Sequence, residues 1–324
     1  MIRVLDFHTH FPVRDDPDPL RDQYVARWGE AKWARVMGWL REDQRKWRRA
    51  WGFPDPEPPG SDEEMARRWA ADVDRHSLVR VVFVTGGGND RLARIVARYP
   101  EKFVGFAHHD PFRPGAAAEL DRAVRDLGLR GYKLIAPLLG GRLDDERLIP
   151  VWETAERLGV PVLIHFGPLR YQGIVAGPNI TPLVLQDVAR AFPGIPFVVP
   201  HFGCGYPTEL LHLAWVCGNV HVDTSGSNEW MRWMPYELTL RGLFRKFLDT
   251  VGPGRIIFGT DSSWFPRGFA VRYLEEQLRA CQELGCSEAD VHAIFAGNAA
   301  RLLSVALPGG GAGTQTARGD PGGG

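Results

Sequence analysis

Residues 4–12 read VLDFHTHFP, an apolar run that ends in two histidines one residue apart. In an extended strand, residues i and i+2 share a face, so His8 and His10 point the same way. An apolar lead-in with a polar end describes a strand buried along its length and open at its C-terminal tip. Seven later runs repeat the theme. With the first, at 2–8, they lie at 79–85, 103–108, 131–135, 161–166, 196–201, 219–224 and 255–260. They are rich in Val and Ile, as strands of a parallel sheet covered on both faces are.

Most of the intervals carry a helical pattern. DRLARIVARYP places Leu92, Ile95, Val96 and Tyr99 on one face, and AAAELDRAVRDLGL follows the third strand. In DDERLIPVWETAERLGV, Asp144 or Asp145 can cap the N-terminus and Gly159 can end the helix. TPLVLQDVARAFPG and PTELLHLAWVCGN supply two more. Strand–helix alternation repeated eight times predicts an α/β fold of the (β/α)8 TIM-barrel type over residues 1–307. A doubly wound open sheet is the alternative, but no glycine-rich dinucleotide fingerprint follows the first strand.

One interval is too long for a single crossover. Residues 12–75 form a helical insertion after the first strand, with Trp28, Trp33, Trp39, Trp47 and Trp51 among many charges. One or two amphipathic helices are expected over 20–51. A further helix is expected near 61–75, with Ser61 as N-cap and Glu64 in the capping-box position. Leaving the end of strand one, the insertion rises on the face where barrel active sites sit, as a lid or an oligomer contact. The other reading is that its tryptophans pack on the barrel wall. The segment 308–324 is Gly-rich without apolar periodicity and is expected to be disordered.

Acidic and basic residues balance at 39 each, which gives no field for nucleic acid or an anionic membrane. The four cysteines form no Cys-x-x-Cys motif. With no signal-peptide pattern and no long apolar run, a cytoplasmic location is expected, with no membrane partner. A homodimer is expected from the Trp-rich insertion.

Polar residues collect at the strand ends. His8 and His10 end strand one, Lys133 lies in strand four, His165 ends strand five, His201 ends strand six and Asp261 ends strand eight. Barrel enzymes gather catalytic groups from such positions at one mouth. Four imidazoles and a carboxylate on one rim are costly to bury unpartnered, and a divalent cation removes that cost. Three histidines with one aspartate suit Zn²⁺, while Fe²⁺ and Mn²⁺ share the same ligand chemistry.

The pieces LDFHTHFP (5–12), GYKL (131–134), LIHFG (163–167), PHFG (200–203), GTDSSW (259–264) and FAGNAARLL (295–303) together resemble the amidohydrolase superfamily. In detail they are similar to its amidohydrolase-related branch, which includes aminocarboxymuconate-semialdehyde decarboxylase, resorcylate decarboxylases and certain lactonases and hydratases. The resemblance implies that His8, His10, His165 and Asp261 hold one metal ion, most simply Zn²⁺. His201 and Asp261 would then be the catalytic acid/base groups. Some superfamily members bridge two ions through a carbamylated lysine on strand four. The expectation here is one ion, with Lys133, Arg170 and Trp264 as substrate contacts. Metal-activated hydrolysis of an amide, ester or lactone bond in a small molecule is the expected reaction. Non-oxidative decarboxylation of a small unsaturated or aromatic acid is the rival, and a non-catalytic metal-bearing binding protein is the third reading.

Overall fold

Strands of two-residue period close into a ring in the computed structural model, which describes residues 2–14, 19–169 and 173–308. β1 (Leu5–His10) pairs in parallel with β2 (Arg80–Thr85), and β2 with β3 (Phe103–Gly105). β4 (Ala107–His108) pairs with β5 (Tyr132–Ile135). The ladder continues through β6 (Val162–His165), β7 (Phe197–Val199), β8 (Val220–Asp223) and β9 (Ile256–Ile257). The last strand returns to the first: Phe7 N–H donates to the Phe258 carbonyl at 3.1 Å, and Asp261 N–H to the His8 carbonyl at 2.7 Å. The result is a TIM barrel.

Two strands differ from expectation. The third is interrupted at Phe106, whose N–H goes to Phe83 (3.0 Å), while Ala107 N–H goes to Gly131 (2.8 Å). The chain there passes from one neighbour to the other, as a ring of tilted strands requires. The first strand starts later than residue 2 and runs through His10, with a register shift between Asp6 and Thr9.

The helices are α1 (Pro19–Trp28), α2 (Glu30–Trp51), α3 (Asp62–Arg75), α4 (Asn89–Val96), α5 (Ala116–Arg125) and α6 (Ile149–Leu158). They continue as α7 (Gln186–Ala191), α8 (Pro207–Val216), α9 (Leu240–Val251), α10 (Val271–Glu283), α11 (Glu288–His292) and α12 (Asn298–Leu303). The insertion is two helices followed by α3, parted at Gly29, whose φ of 87° suits glycine. Ser61 caps α3 by accepting from Glu64 N–H. Asp145 caps the turn leading into α6, and Gly159 ends that helix in the left-handed conformation. The segment from 309 onward, expected to be disordered, lies outside the described residues. No described helix is long and apolar enough to cross a membrane.

The C-terminal half of α2 packs on the barrel mouth. Trp47 meets Trp264 edge to face (5.9 Å) and donates from Nε1 to Ser227 Oγ at 3.1 Å. Trp51 lies edge-on to Tyr273 at 4.8 Å. Trp28 and Trp39 remain exposed on the insertion.

Outward strand residues such as Phe83, Tyr132, Ile164 and Phe197 pack with the helices. Inward residues fill the ring: Leu5, Val82, Val104, Leu163 and Val198 form one apolar cluster with Ala299 and Leu303 of α12, which plugs the base. Period two then carries polar residues upward on the same inward face. Leu163 is followed by His165, and His221 by Asp223. Gly131 leaves room for the Phe106 ring, since a Cβ there would lie 2.5 Å from it.

His221 is the exception low in the barrel. Its ring is buried, and its Nδ1 has no hydrogen-bond partner among the described residues. Burial, with the charges of Arg301 and Arg255, pulls its pKa down to about 4. The unfolded chain binds this proton near pH 6.5, so between there and about 4 it binds more protons than the native state. Stability is therefore lost as the pH drops through that window, by about 3 kcal/mol from this group. Urea unfolding at pH 7 and pH 4 should show His221→Leu losing about 3 kcal/mol less than wild type. Equal losses would remove His221 as the cause.

Candidate active site

Barrel closure brings the two ends of the chain's chemistry together. His8 and His10 have ring centroids 5.2 Å apart. Asp261 Oδ1 lies 3.1 Å from His10 Nε2 and 3.7 Å from His8 Nε2. Ligand atoms of His8, His10 and Asp261 all fall within 4.8 Å of one another. The His201 ring is 5.2 Å from that of His8 and 5.1 Å from that of His165. These groups share one cavity of about 220 Å³ with Lys133, whose walls include Leu169, Trp230 and Trp233.

Local backbone aims the two strand-end residues. His201 and Asp261 both have φ of 57°, the left-handed region where a non-glycine residue is strained by about 1–3 kcal/mol. Phe202 anchors the His201 turn, fully buried against Phe244 (5.3 Å) and Phe247 (5.1 Å). The Asp261 turn is pinned by its N–H on the His8 carbonyl. Gly259 is required beneath the site, because a Cβ would come within 2.9 Å of His8 Cβ and 3.0 Å of Asp223 Oδ1.

Three of the four histidines are held by their far nitrogen. His8 Nδ1–H donates to Asp223 Oδ2 at 2.6 Å. The Thr85 hydroxyl bonds His10 Nδ1 at 2.6 Å. His201 Nδ1–H donates to the Ser225 carbonyl at 3.0 Å, and Ser225 Oγ sits 2.9 Å from the same nitrogen and 3.1 Å from His8 Nδ1. These contacts leave Nε2 as the working nitrogen of all three rings.

The electrostatics favour neutral rings at His8 and His165. Burial drives the His8 pKa well below its ordinary value, and the positive charges of Lys133, His201 and His10 push the same way against Asp261. His165 is lowered by burial and by His201 and Lys133. Burial also lowers Lys133 to about 7, partly opposed by Asp261 and Asp223, and raises Asp223 to about 6. Enclosure raises Asp261, but its hydrogen bond with His10 and the charges of His201, His10 and His8 outweigh that and hold it low. Asp261 keeps 40% of its side-chain surface open to the cleft.

The donor set fits a divalent cation. Nε2 of His8 and of His165 are buried with no hydrogen-bond partner among the described residues. Two buried lone pairs, a third imidazole and an ionised carboxylate facing one cavity are the chemistry a borderline divalent ion satisfies. His165 lines the same cavity but is not part of the tight His8–His10–Asp261 group. Lys133 lines the same cavity. Trp264 lines an adjoining one instead, because it turns toward Trp47 of the insertion. Arg170 lies outside the described residues.

Sequence reasoning missed Asp223, Ser225 and Thr85. Asp223 had a signal: it is an acidic residue in inward register at a strand end, two beyond His221. Asp223→Asn removes the charge behind His8 and should weaken metal binding about 10–100-fold, read by competition with a chelating dye. An unchanged affinity would show that Asp223 only fills space.

A ring of eight strands with imidazoles and a carboxylate at its C-terminal mouth defines a TIM-barrel enzyme. The family model described as amidohydrolase matches residues 5–305, and the chain belongs to that family, in its amidohydrolase-2 branch. A 2-amino-3-carboxymuconate-6-semialdehyde decarboxylase of Dictyostelium discoideum is 32% identical over 99 residues, 30% of this chain and 26% of that protein. A gamma-resorcylate decarboxylase of a Polaromonas species is 27% identical over 263 residues, 67% of this chain and 75% of that protein. Among solved structures, a TIM-barrel protein from Bordetella bronchiseptica superposes with a TM-score of 0.64 at 21% identity, covering 94% of this chain and 99% of that one.

These relatives correct the expected reaction. Both named enzymes are decarboxylases, so hydrolysis of an amide, ester or lactone gives way as the principal reading. The residues that suggested hydrolysis serve both chemistries, and a shared fold does not choose between them.

Proposed function

We propose that the chain is a divalent-metal-dependent, non-oxidative decarboxylase of a small aromatic or unsaturated carboxylic acid. The observation that carries this is the match to gamma-resorcylate decarboxylase along three-quarters of that protein's length. The cavity supports it, with proton-carrying groups and apolar walls side by side.

His8, His10, His165 and Asp261 would hold one ion. Zn²⁺ and Mn²⁺ both accept this nitrogen and oxygen set. Once bound, the ion supplies positive charge that binds substrate oxygens and offsets negative charge developing on them. Lys133 faces the same cavity and offers a cation to a substrate oxygen. His201 handles the proton. Its Nδ1–H stays on the Ser225 carbonyl, so the protonated ring gives up its Nε2 proton. That proton goes to the carbon bearing the carboxylate. A C–H bond forms, the C–C bond to the carboxylate breaks, its electrons return to the unsaturated system, and CO₂ departs. His201 is left neutral and regains its proton from solvent. Leu169, Trp230 and Trp233 give a planar apolar substrate its contact surface.

The test is direct. Protein loaded separately with Zn²⁺ and Mn²⁺ is incubated with 2,6-dihydroxybenzoate and a panel of other unsaturated and aromatic acids. Release of CO₂ in equal amount with the decarboxylated product is expected. No CO₂ from any acid, or addition of water instead, would sink the proposal.

A further inference from the structure

The cleft continues past Asp261. A second cavity of about 360 Å³ opens between the end of α2 and the loop after β9. Asp261, Gly226, Ser227 and Glu229 border both cavities, so the two meet along one rim. Trp47, Trp264 and Tyr273 give the second an aromatic wall.

Arg267 lines this second cavity. Its guanidinium carbon lies 3.4 Å from the centre of the Trp264 ring and 5.2 Å from that of Phe53. Nη2 donates to the Asp261 carbonyl at 3.2 Å. Among the described residues that carbonyl is its acceptor, and no carboxylate forms an ion pair with it. Nε is buried without a partner, as is Trp264 Nε1 beside it. As a guanidinium it is cationic at neutral pH.

The charged neighbours have ion-pair partners of their own. Arg48, at the edge of the same cavity, bonds Asp55 at 2.9 Å. The Glu229 carboxylate on the shared rim faces Arg232 at 3.7 Å. An enclosed guanidinium is ordinarily matched by a carboxylate, because an unpaired charge away from water is costly. Packing explains why Arg267 is flat against Trp264. It does not supply an ion-pair partner, and the Asp261 and Asp6 carboxylates act on the guanidinium only from a distance.

We propose that Arg267 binds a second carboxylate of the substrate, so that the preferred substrate is a diacid spanning both cavities. One carboxylate lies at the histidine end, near Lys133 and His201. The other lies against the guanidinium, whose planar fork suits paired hydrogen bonds to a carboxylate. This rests on the reading of a carboxylic-acid substrate given above and narrows its class.

Binding tests it without turnover. Full-length, metal-loaded protein is titrated by calorimetry with isophthalate and, separately, with benzoate. Isophthalate should bind about 10–100-fold tighter, the worth of one charge-assisted contact. In Arg267→Leu the ratio should fall toward one, and Arg267→Lys should keep part of it. A purely structural role for Arg267 would leave the ratio in place. Equal affinity of wild type for the two acids, or a ratio that survives in Arg267→Leu, overturns the proposal. If the leucine variant does not fold, the wild-type ratio and the lysine variant still decide it. Absence of CO₂ release from every acid would end the decarboxylase reading, yet the binding ratio would remain measurable.

Discussion

His201→Asn is expected to lower kcat for decarboxylation by about 10²–10⁴-fold while metal content stays as in wild type. The ring stands between His8 and His165, 5.2 and 5.1 Å from them, so it is close enough to act on whatever those residues help to bind. Its Nδ1–H is committed to the Ser225 carbonyl, which leaves the other nitrogen for proton transfer. An asparagine amide can keep a donor toward that carbonyl and so preserve the turn. What it lacks is a ring nitrogen that can give up and regain a proton. The loss should therefore appear in kcat more than in KM. Metal analysis and single-turnover rates on the same sample check it. A drop below tenfold, or loss of the metal, would remove His201 from the proton step.

The second large effect belongs to His8→Ala. His8 carries one of the two buried imidazole nitrogens that line the cavity without a partner among the described residues, so its removal should weaken metal binding by more than about 100-fold, exceeding the loss of a supporting contact. It should also destabilise the fold. Asp223 is fully buried, and its 2.6 Å bond to His8 disappears with the ring. An unpaired buried charge costs about 3–5 kcal/mol. Part of that is relieved because Asp223, its pKa already raised to about 6 by burial, can take up a proton. Adding Asp223→Asn to His8→Ala should then restore stability without restoring metal. Elemental analysis and denaturant unfolding separate the two outcomes. Full metal occupancy in His8→Ala would dismantle the proposed ligand set.

Much of the barrel was legible because its signals are local. The period-two runs at 79–85, 131–135 and 161–166 fall almost on β2, β5 and β6, since alternation is imposed within a few residues by the pleat. Ser61 and Gly159 act where capping rules place them, for the same reason. The break at Phe106 and the late start of β1 were not legible. Both follow from which neighbouring strand supplies the hydrogen bonds, and that is a property of the closed ring.

The amino-acid sequence by itself determined the strand–helix alternation, the strand-end placement of His8, His10, His165, His201 and Asp261, and the family they resemble. Only the tertiary structure decided that Asp223, 215 positions away in the chain, stands behind His8. Only it turned Trp264 toward the insertion and left Arg267 Nε without a partner among the described residues beside the cleft. Local periodicity sets which way a side chain faces along its own strand. The partner it meets across the mouth is set by strand register and by the left-handed turns at His201 and Asp261, which come into being when the ring closes.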